Sequence, residues 1–379
     1  MKKFFGFMCS ALLAGTAVCT APVFAEDAKP AGLKPDDVKN ALGMSIYLQA
    51  GYTYNGKASD SSPFGTGSEN DLRIYDHKAN SFGLDLAELI FSRDTTTTSL
   101  GYRVKISAGE TAKLIHAAGL GASTESFDIT EAYVSYTAPV GKGLRFDIGK
   151  MMTFVGAEVM EALDNPNYSR SFLYNYAEPL THTGVKASYV FTDNLNAALL
   201  IANGWDNATD NNDGKTAGVS VNITAGDPFS AYINYLQGPE QANNTRDNRS
   251  LIDLVATIKP VKPLTIILNY DDGKEDHAVA SGTAKWSGAS GIVKYDVNDT
   301  FSIAVRGEYF DDKDGFRTGL KQKLTEITLT PEFRLAGGLT VRPEYRHDSS
   351  DYDQAGVKAF HNGTKKTQDT FALAAMYRW

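Results

Sequence analysis

Along most of the chain, hydrophobic and polar residues take turns one by one. Phe301, Ile303, Val305, Gly307 and Tyr309 fall on one side of a two-residue period, with Ser302, Ala304, Arg306 and Glu308 on the other. Leu339, Val341, Pro343 and Tyr345 alternate with Thr340, Arg342, Glu344 and Arg346. Tyr102, Val104, Ile106 and Ala108 alternate with Arg103, Lys105 and Ser107. The last segment sets Phe371, Leu373, Ala375, Tyr377 and Trp379 against Thr370, Ala372, Ala374, Met376 and Arg378. This period predicts strands with one apolar and one polar face.

Three features point these strands at a lipid bilayer. They run about 9 to 12 residues, the length of a tilted membrane span, whereas soluble strands cluster near 5 or 6. Tyr52, Tyr136, Tyr189, Tyr270 and Tyr309 sit at the ends of apolar faces, as an interfacial aromatic girdle requires. The opposite faces carry Arg103, Lys105, Arg306, Glu308, Arg342, Glu344 and Arg346. Unpaired charges in a dry core would each cost several kcal/mol, but a water-filled lumen accepts them. The connections alternate as well. Short ones fall at 92–99, 138–143, 192–194, 225–228, 259–263, 296–300 and 336–338. Long polar ones fall near 55–80, 110–126, 154–182, 205–214, 238–249, 272–283, 311–322 and 348–367. The expectation is an all-β fold: a transmembrane antiparallel up-and-down β-barrel of about 16 strands (14–18), with short periplasmic turns and long extracellular loops.

The N-terminus reads differently. Lys2 and Lys3 precede an apolar run from Leu12 to Val18 and the triplet Val23-Phe24-Ala25. That is the pattern of a signal peptide over residues 1–25, cleaved near Ala25 after Sec-type export. Cys9 and Cys19, the two cysteines of the chain, lie inside it, so the exported chain would hold no thiol and no disulfide. Residues 26–42 form a polar periplasmic segment, and 43–379 form the barrel. The formal charge of −8 argues against a broad nucleic-acid-binding surface. No series of apolar runs of about 20 residues supports a helical bundle.

Glu131-Ala132-Tyr133-Val134-Ser135-Tyr136, then Gly141-Lys142-Gly143-Leu144 and Gly149-Lys150, resemble the β-barrel porin-2 family, also called OmpL-like, of Gram-negative outer-membrane porins. So do Asn165-Pro166-Asn167-Tyr168-Ser169-Arg170-Ser171-Phe172, Thr181-His182-Thr183-Gly184-Val185 and Asn203-Gly204-Trp205-Asp206-Asn207. The specific part of the resemblance covers about residues 82–222; beyond it, the barrel pattern alone continues. The terminal Tyr377-Arg378-Trp379, with Phe371 upstream, is similar to the C-terminal signal read by the barrel assembly machinery, although Phe is the commoner last residue there. The resemblance implies a barrel acting as a pore in the outer membrane of a Gram-negative bacterium.

Candidate chemistry is sparse. The chain holds no G-x-S-x-G, H-E-x-x-H, P-loop or Rossmann fingerprint. His77, His116, His182, His277, His347 and His361 show no metal-pair spacing and read as solvated loop residues. Asp210-Asn211-Asn212-Asp213-Gly214 resembles part of a calcium loop but lacks its distal Glu, and Asp311-Asp312-Lys313-Asp314-Gly315 is as ambiguous. No cofactor is expected.

The stretch 154–182 stands apart, because Phe154, Val159, Met160, Leu163, Phe172, Leu173 and Tyr176 do not belong in a water-facing loop. Folded into the lumen, it would present Glu158, Glu161 and Asp164 as a negative edge. Arg103, Lys105, Arg145, Lys150, Arg306, Arg342 and Arg346 would provide a positive wall. Opposed rows of charge favour polar solutes. The function expected is a passive porin for small hydrophilic solutes, embedded in outer-membrane lipid, with a homo-oligomer such as a trimer by analogy. Two alternatives are a structural or adhesive barrel with a closed lumen and an outer-membrane hydrolase.

Overall fold

A computed structural model describes residues 39, 41–62, 65–95, 100–122 and 126–379. The expected signal peptide and residues 26–38 of the polar segment lie outside the described residues. The barrel strands are Met44–Tyr54 (β1), Phe82–Arg93 (β2), Leu100–Ala108 (β3), Phe127–Ala138 (β4), Leu144–Met152 (β5), Thr181–Thr192 (β6), Leu195–Ala202 (β7) and Thr216–Thr224 (β8). They continue as Phe229–Pro239 (β9), Asn248–Val261 (β10), Leu264–Val279 (β11), Gly282–Asn298 (β12), Phe301–Asp312 (β13), Gln322–Arg334 (β14), Leu339–Ser350 (β15) and Thr367–Arg378 (β16).

Each strand pairs antiparallel with its sequence neighbours, and β1 closes on β16 from Tyr47↔Arg378 to Tyr54↔Phe371. Backbone bonds between Ile46 and Trp379 in both directions, each 2.9 Å, seal the seam. Closure leaves no strand edge, which a bilayer demands because hydrocarbon offers no partner for a free N–H or C=O.

The alternation sorts the side chains as anticipated. On β13, Val305, Gly307 and Tyr309 face outward while Ala304, Arg306, Glu308 and Phe310 are buried inside. Val305 pairs in register with Val293 and Leu329, so three strands present one apolar belt. Tyr54, Phe82, Tyr136, Phe191, Tyr270, Tyr309 and Phe371 are exposed on the outer surface.

One connection departs from expectation. The long loop anticipated at 272–283 is a two-residue turn between β11 and β12, which pair from Leu264↔Tyr295 to Glu275↔Ala284 and again at Val279↔Gly282. Alternation there is polar on both faces, so it reads as loop, yet it still makes a strand once the pair has left the lipid. Gly273 sits opposite Trp286; a Cβ at Gly273 would lie 2.1 Å from the indole, so the absent side chain is what lets the ring lie across β11. The other long connections carry the helix Glu110–Leu114 and two small hairpins, Ser59–Ser62 with Gly65–Glu69 and Asp353–Gln354 with Val357–Lys358.

The face assignment makes a direct prediction. Val305→Arg places a charge on the apolar belt and should destabilise the folded barrel by about 2–4 kcal/mol if that site lies near the midplane. Ala304→Ser, on the inner face, should be nearly silent. Heat-modifiable migration of the two variants in detergent, followed by urea titration, checks both.

Candidate functional site: the lumen and its inward loop

The connection between β5 and β6, residues 153–180, turns into the barrel. Its apolar residues form the dry cluster that their composition called for. Phe172, Leu173, Tyr176 and Ala177 pack with inward-facing Leu200, Leu236, Leu251, Trp286, Phe310 and Leu324. Met160 and Tyr174 pack with Tyr47, Tyr75, Leu86 and Ile115 in a second cluster. Val159 is the exception and stays 42% exposed.

Burying this loop also buries its backbone, so its amides and carbonyls need partners. The wall supplies them. Glu308 accepts the N–H groups of Phe172 and Leu173, both at 2.6 Å. Glu344 accepts those of Tyr168 (2.7 Å) and Ser169 (2.9 Å). Arg306 donates to the Ser169 carbonyl at 2.7 Å and pairs with Glu158 at 2.8 Å and Glu326 at 2.6 Å. Arg342 donates to the carbonyls of Ala162 and Asn167, and Arg346 to that of Arg170. The sequence marked Glu308 and Glu344 as inward-facing, but nothing in the alternation names the amides they bind.

The basic residues grouped in sequence as one positive wall therefore divide in two. The side chains of Arg306, Arg342 and Arg346 are at most 1% exposed. They lie sealed beneath the loop, which corrects the expectation that they face an open passage. Lys150, 6% exposed and held by Asp128 at 3.0 Å, and Lys105, 2% exposed and held by Glu131 and Glu161, are likewise withdrawn from water. Arg103 and Arg145 reach solvent, at 31% and 33%, and Lys186 joins them at 25%.

The carboxylates are not a free row either. Glu161 pairs with Lys105, Glu158 with Arg306, and Asp164 with Arg378 at 2.5 Å. Lys105 also reaches Glu131 at 3.1 Å, and Arg103 reaches Glu131 at 2.6 Å. Loop and wall charges thus touch at the margin of a cavity of about 480 Å³. Arg103, Lys105, Glu131 and Tyr133 line its wall side, and Val159, Glu161 and Asp164 its loop side.

The remaining sequence candidates resolve by their partners. Asp210 caps the N–H groups of Asn212 and Asp213, both 2.9 Å, and pairs with Lys215, which is turn chemistry. Asp312 is fully buried and accepts the N–H groups of Phe316, Arg317 and Thr318. His77 and His182 are buried rather than solvated. His77 lies 2.6 Å from Glu69, and His182 bonds the Thr153 hydroxyl and the Gly204 carbonyl. Loop positions cover the lumen as well as the surface, and sequence spacing does not separate the two. Phe371 lies outward against Tyr345, ring centroids 4.9 Å apart, and the ammonium of Lys39 lies 3.8 Å from the Trp379 ring centroid.

A closed barrel of 16 strands, apolar outside, charged within and narrowed by an inward loop, has the architecture of an outer-membrane porin. Residues 41–379 match the family described as "Putative beta-barrel porin-2, OmpL-like", and the chain belongs to that family. Membership makes it a porin of the outer membrane. Solved structures share the fold at low identity. The anion-selective porin from Comamonas acidovorans superposes with a TM-score of 0.59 at 13% identity, over 89% of this chain and 98% of that one. The outer membrane channel DcaP of Acinetobacter baumannii gives 0.59 at 11%, over 89% and 96%. The trimer form of Vibrio cholerae OmpT gives 0.54 at 14%, over 89% and 98%. No curated protein sequence matches the chain.

The clamp on the loop has a measurable strength. Arg306→Ala leaves Glu158 buried without an ion-pair partner and Glu326 with Arg346 alone at 3.6 Å, and should destabilise the barrel by about 3–5 kcal/mol. Lys366→Ala, which breaks an exposed pair with Asp353, should change stability by no more than about 1 kcal/mol. Urea unfolding of the two variants in detergent checks the contrast.

Proposed function

We propose that this porin passes small hydrophilic solutes by diffusion through a passage between the inward loop and the wall made by β3 to β6. The observation that carries this reading is the asymmetry of the lumen. On the β13–β15 side Arg306, Arg342 and Arg346 are locked under the loop. On the β3–β6 side Arg103, Arg145 and Lys186 reach water, and Arg103 lines a cavity of about 480 Å³. Glu161 and Asp164 form the loop's edge of this passage, and Arg103, Lys105 and Glu131 its opposite edge. Charges of both signs across a narrow gap reward solutes that carry dipoles or charge and penalise apolar ones.

No step of this function needs a catalyst, a cofactor or an energy source. Export by the signal peptide, cleavage near Ala25, and delivery to the barrel assembly machinery through Phe371, Tyr377 and Trp379 complete the reading. Assembly as a trimer has support from the trimer form of the Vibrio cholerae protein.

Single-channel recording in a planar bilayer tests the proposal. The purified protein should give steps of ohmic conductance. Val159→Trp fills the one exposed apolar position on the loop's edge of the passage and should lower that conductance. Glu161→Gln with Asp164→Asn should move ion preference toward anions at low salt. The shift should fade near 1 M salt, where the Debye length falls to about 3 Å. A folded barrel with no conductance would make the chain a closed structural barrel instead.

A further inference from the structure

The two ends of the inward loop meet the wall at one place. Near its start, Gly156 donates its N–H to Asp253 of β10 at 3.0 Å, and Ala157 donates to Asn269 of β11 at 3.0 Å. Near its end, Glu178 comes back to the same spot, so close to Gly156 that a Cβ there would lie 1.8 Å from its carboxylate. Asp253 and Asp271 are direct cross-strand partners. The carboxylate oxygens of Glu178, Asp253 and Asp271 lie within 4.8 Å of one another, and all three residues are buried. Like charges set directly opposite on neighbouring strands repel.

Elsewhere in the lumen, Glu308 and Glu344 each hold two loop N–H groups, and other buried acids of the clamp face a guanidinium. Glu326 has Arg306, Glu332 has Arg342, and Asp348 has Arg73 and Arg346. Among the described residues, no ion pair reaches Glu178, Asp253 or Asp271. Asp253 is bonded by the amides of Asn234 (2.6 Å) and Asn269 (2.7 Å). Asp271, fully buried, has neither carboxylate oxygen hydrogen-bonded, and Glu178 Oε2 and Asn234 Oδ1 are also unpartnered. Burial, reinforced by Asp253, pushes the Glu178 carboxyl well above the usual carboxylate range.

We propose that Glu178, Asp253 and Asp271 bind one divalent cation of the calcium class, which fastens the neck of the inward loop to the barrel wall. The donors are all oxygen, the set that hard cations select over zinc or copper. Calcium holds oxygens at about 2.3–2.6 Å, so ligand atoms on one ion lie up to about twice that distance apart, which the 4.8 Å spread allows. The unpartnered Asn234 Oδ1 is available beside Asp253 as a neutral ligand. In the Asp210–Gly214 segment, which looks more like a calcium loop in sequence, Asp210 and Asn212 spend side-chain oxygens on the segment's own backbone and on Lys215. This inference stands apart from the transport reading, because it concerns how the loop is held and not what passes it.

Terbium luminescence on the full-length folded protein, refolded free of lipopolysaccharide and washed with chelator, tests it. The Trp286 indole donates to the Ala177 carbonyl at 3.2 Å, next to Glu178, and so places a sensitiser at the site. Tryptophan excitation should give one saturable terbium signal that calcium displaces. Calcium alone should raise the thermal midpoint and protect the loop from protease. Glu178→Gln lies outside the strands and leaves barrel assembly intact; with or without Asp271→Asn it should weaken terbium binding by more than about 10-fold, the loss that even outer-shell changes can produce. Asp271→Asn should also raise the thermal midpoint of the chelator-treated protein, since it removes repulsion. Absence of a saturable signal, or binding undiminished in the double variant, overturns the proposal. So does a carboxylic-acid infrared band at neutral pH that calcium does not remove and the double variant lacks, because protons would then neutralise the cluster. Absence of conductance in a calcium-loaded barrel would count against the transport reading and leave the cation site standing.

Discussion

The structure rests on one constraint: inside hydrocarbon, every backbone N–H and C=O must find a partner in the protein itself. A ring of antiparallel strands meets it only when the last strand pairs with the first, as β16 does with β1. Closure then dictates the chemistry of both faces. The outer face must be apolar, so Val293, Val305 and Leu329 line up across neighbouring strands. The inner face is free of that demand, and in a ring of 16 it encloses more space than its own side chains fill.

The same rule governs the loop that occupies the space. Residues 153–180 bring polar backbone into a crowded interior, where an unpaired group costs about 1–3 kcal/mol. Acidic wall residues take loop amides in pairs, and basic wall residues take loop carbonyls. Glu308 and Glu344 do the first, and Arg306, Arg342 and Arg346 the second. A carboxylate with two oxygens and a guanidinium with five donors suit this task better than neutral side chains. Wall charge on the β13–β15 side is thus spent on architecture. Arg103, Arg145 and Lys186 on the β3–β6 side keep their contact with water, as do Lys294 of β12 and Arg334 at the end of β14.

Period two in the sequence determines which way a residue points, and that much was legible: Arg103, Lys105, Arg306, Arg342 and Arg346 all face inward as their positions require. Composition gave the loop's direction too, because Phe172, Leu173 and Tyr176 needed a dry neighbourhood. Depth and partnership were not legible. Arg103 and Arg306 both lie on the inward face of their strands, yet one is a third exposed and the other not at all. The difference arises from which side of the barrel the loop leans against, a contact between residues far apart in sequence. The β11–β12 hairpin was missed for a related reason: beyond the lipid neither face must be apolar, so strands lose the pattern that reveals them.

The loop is held by attachments of two kinds, and they respond to different things. The arginine clamps stay charged at any pH a bacterium meets, and burial shields them from salt. They fix the middle of the loop under all ordinary conditions. The neck is different. Gly156 and Glu178 meet Asp253 and Asp271 in a cluster of three acids, where neutral N–H groups bond Asp253 and no arginine or lysine pairs with any of the three among the described residues. Three buried carboxylates repel one another unless something positive comes from the medium. The loop's centre is therefore set by the chain alone, whereas its hinge to the wall depends on the ions or protons around the cell. A pore built this way keeps its constriction in place while the stiffness of its anchor follows the composition of the outside water.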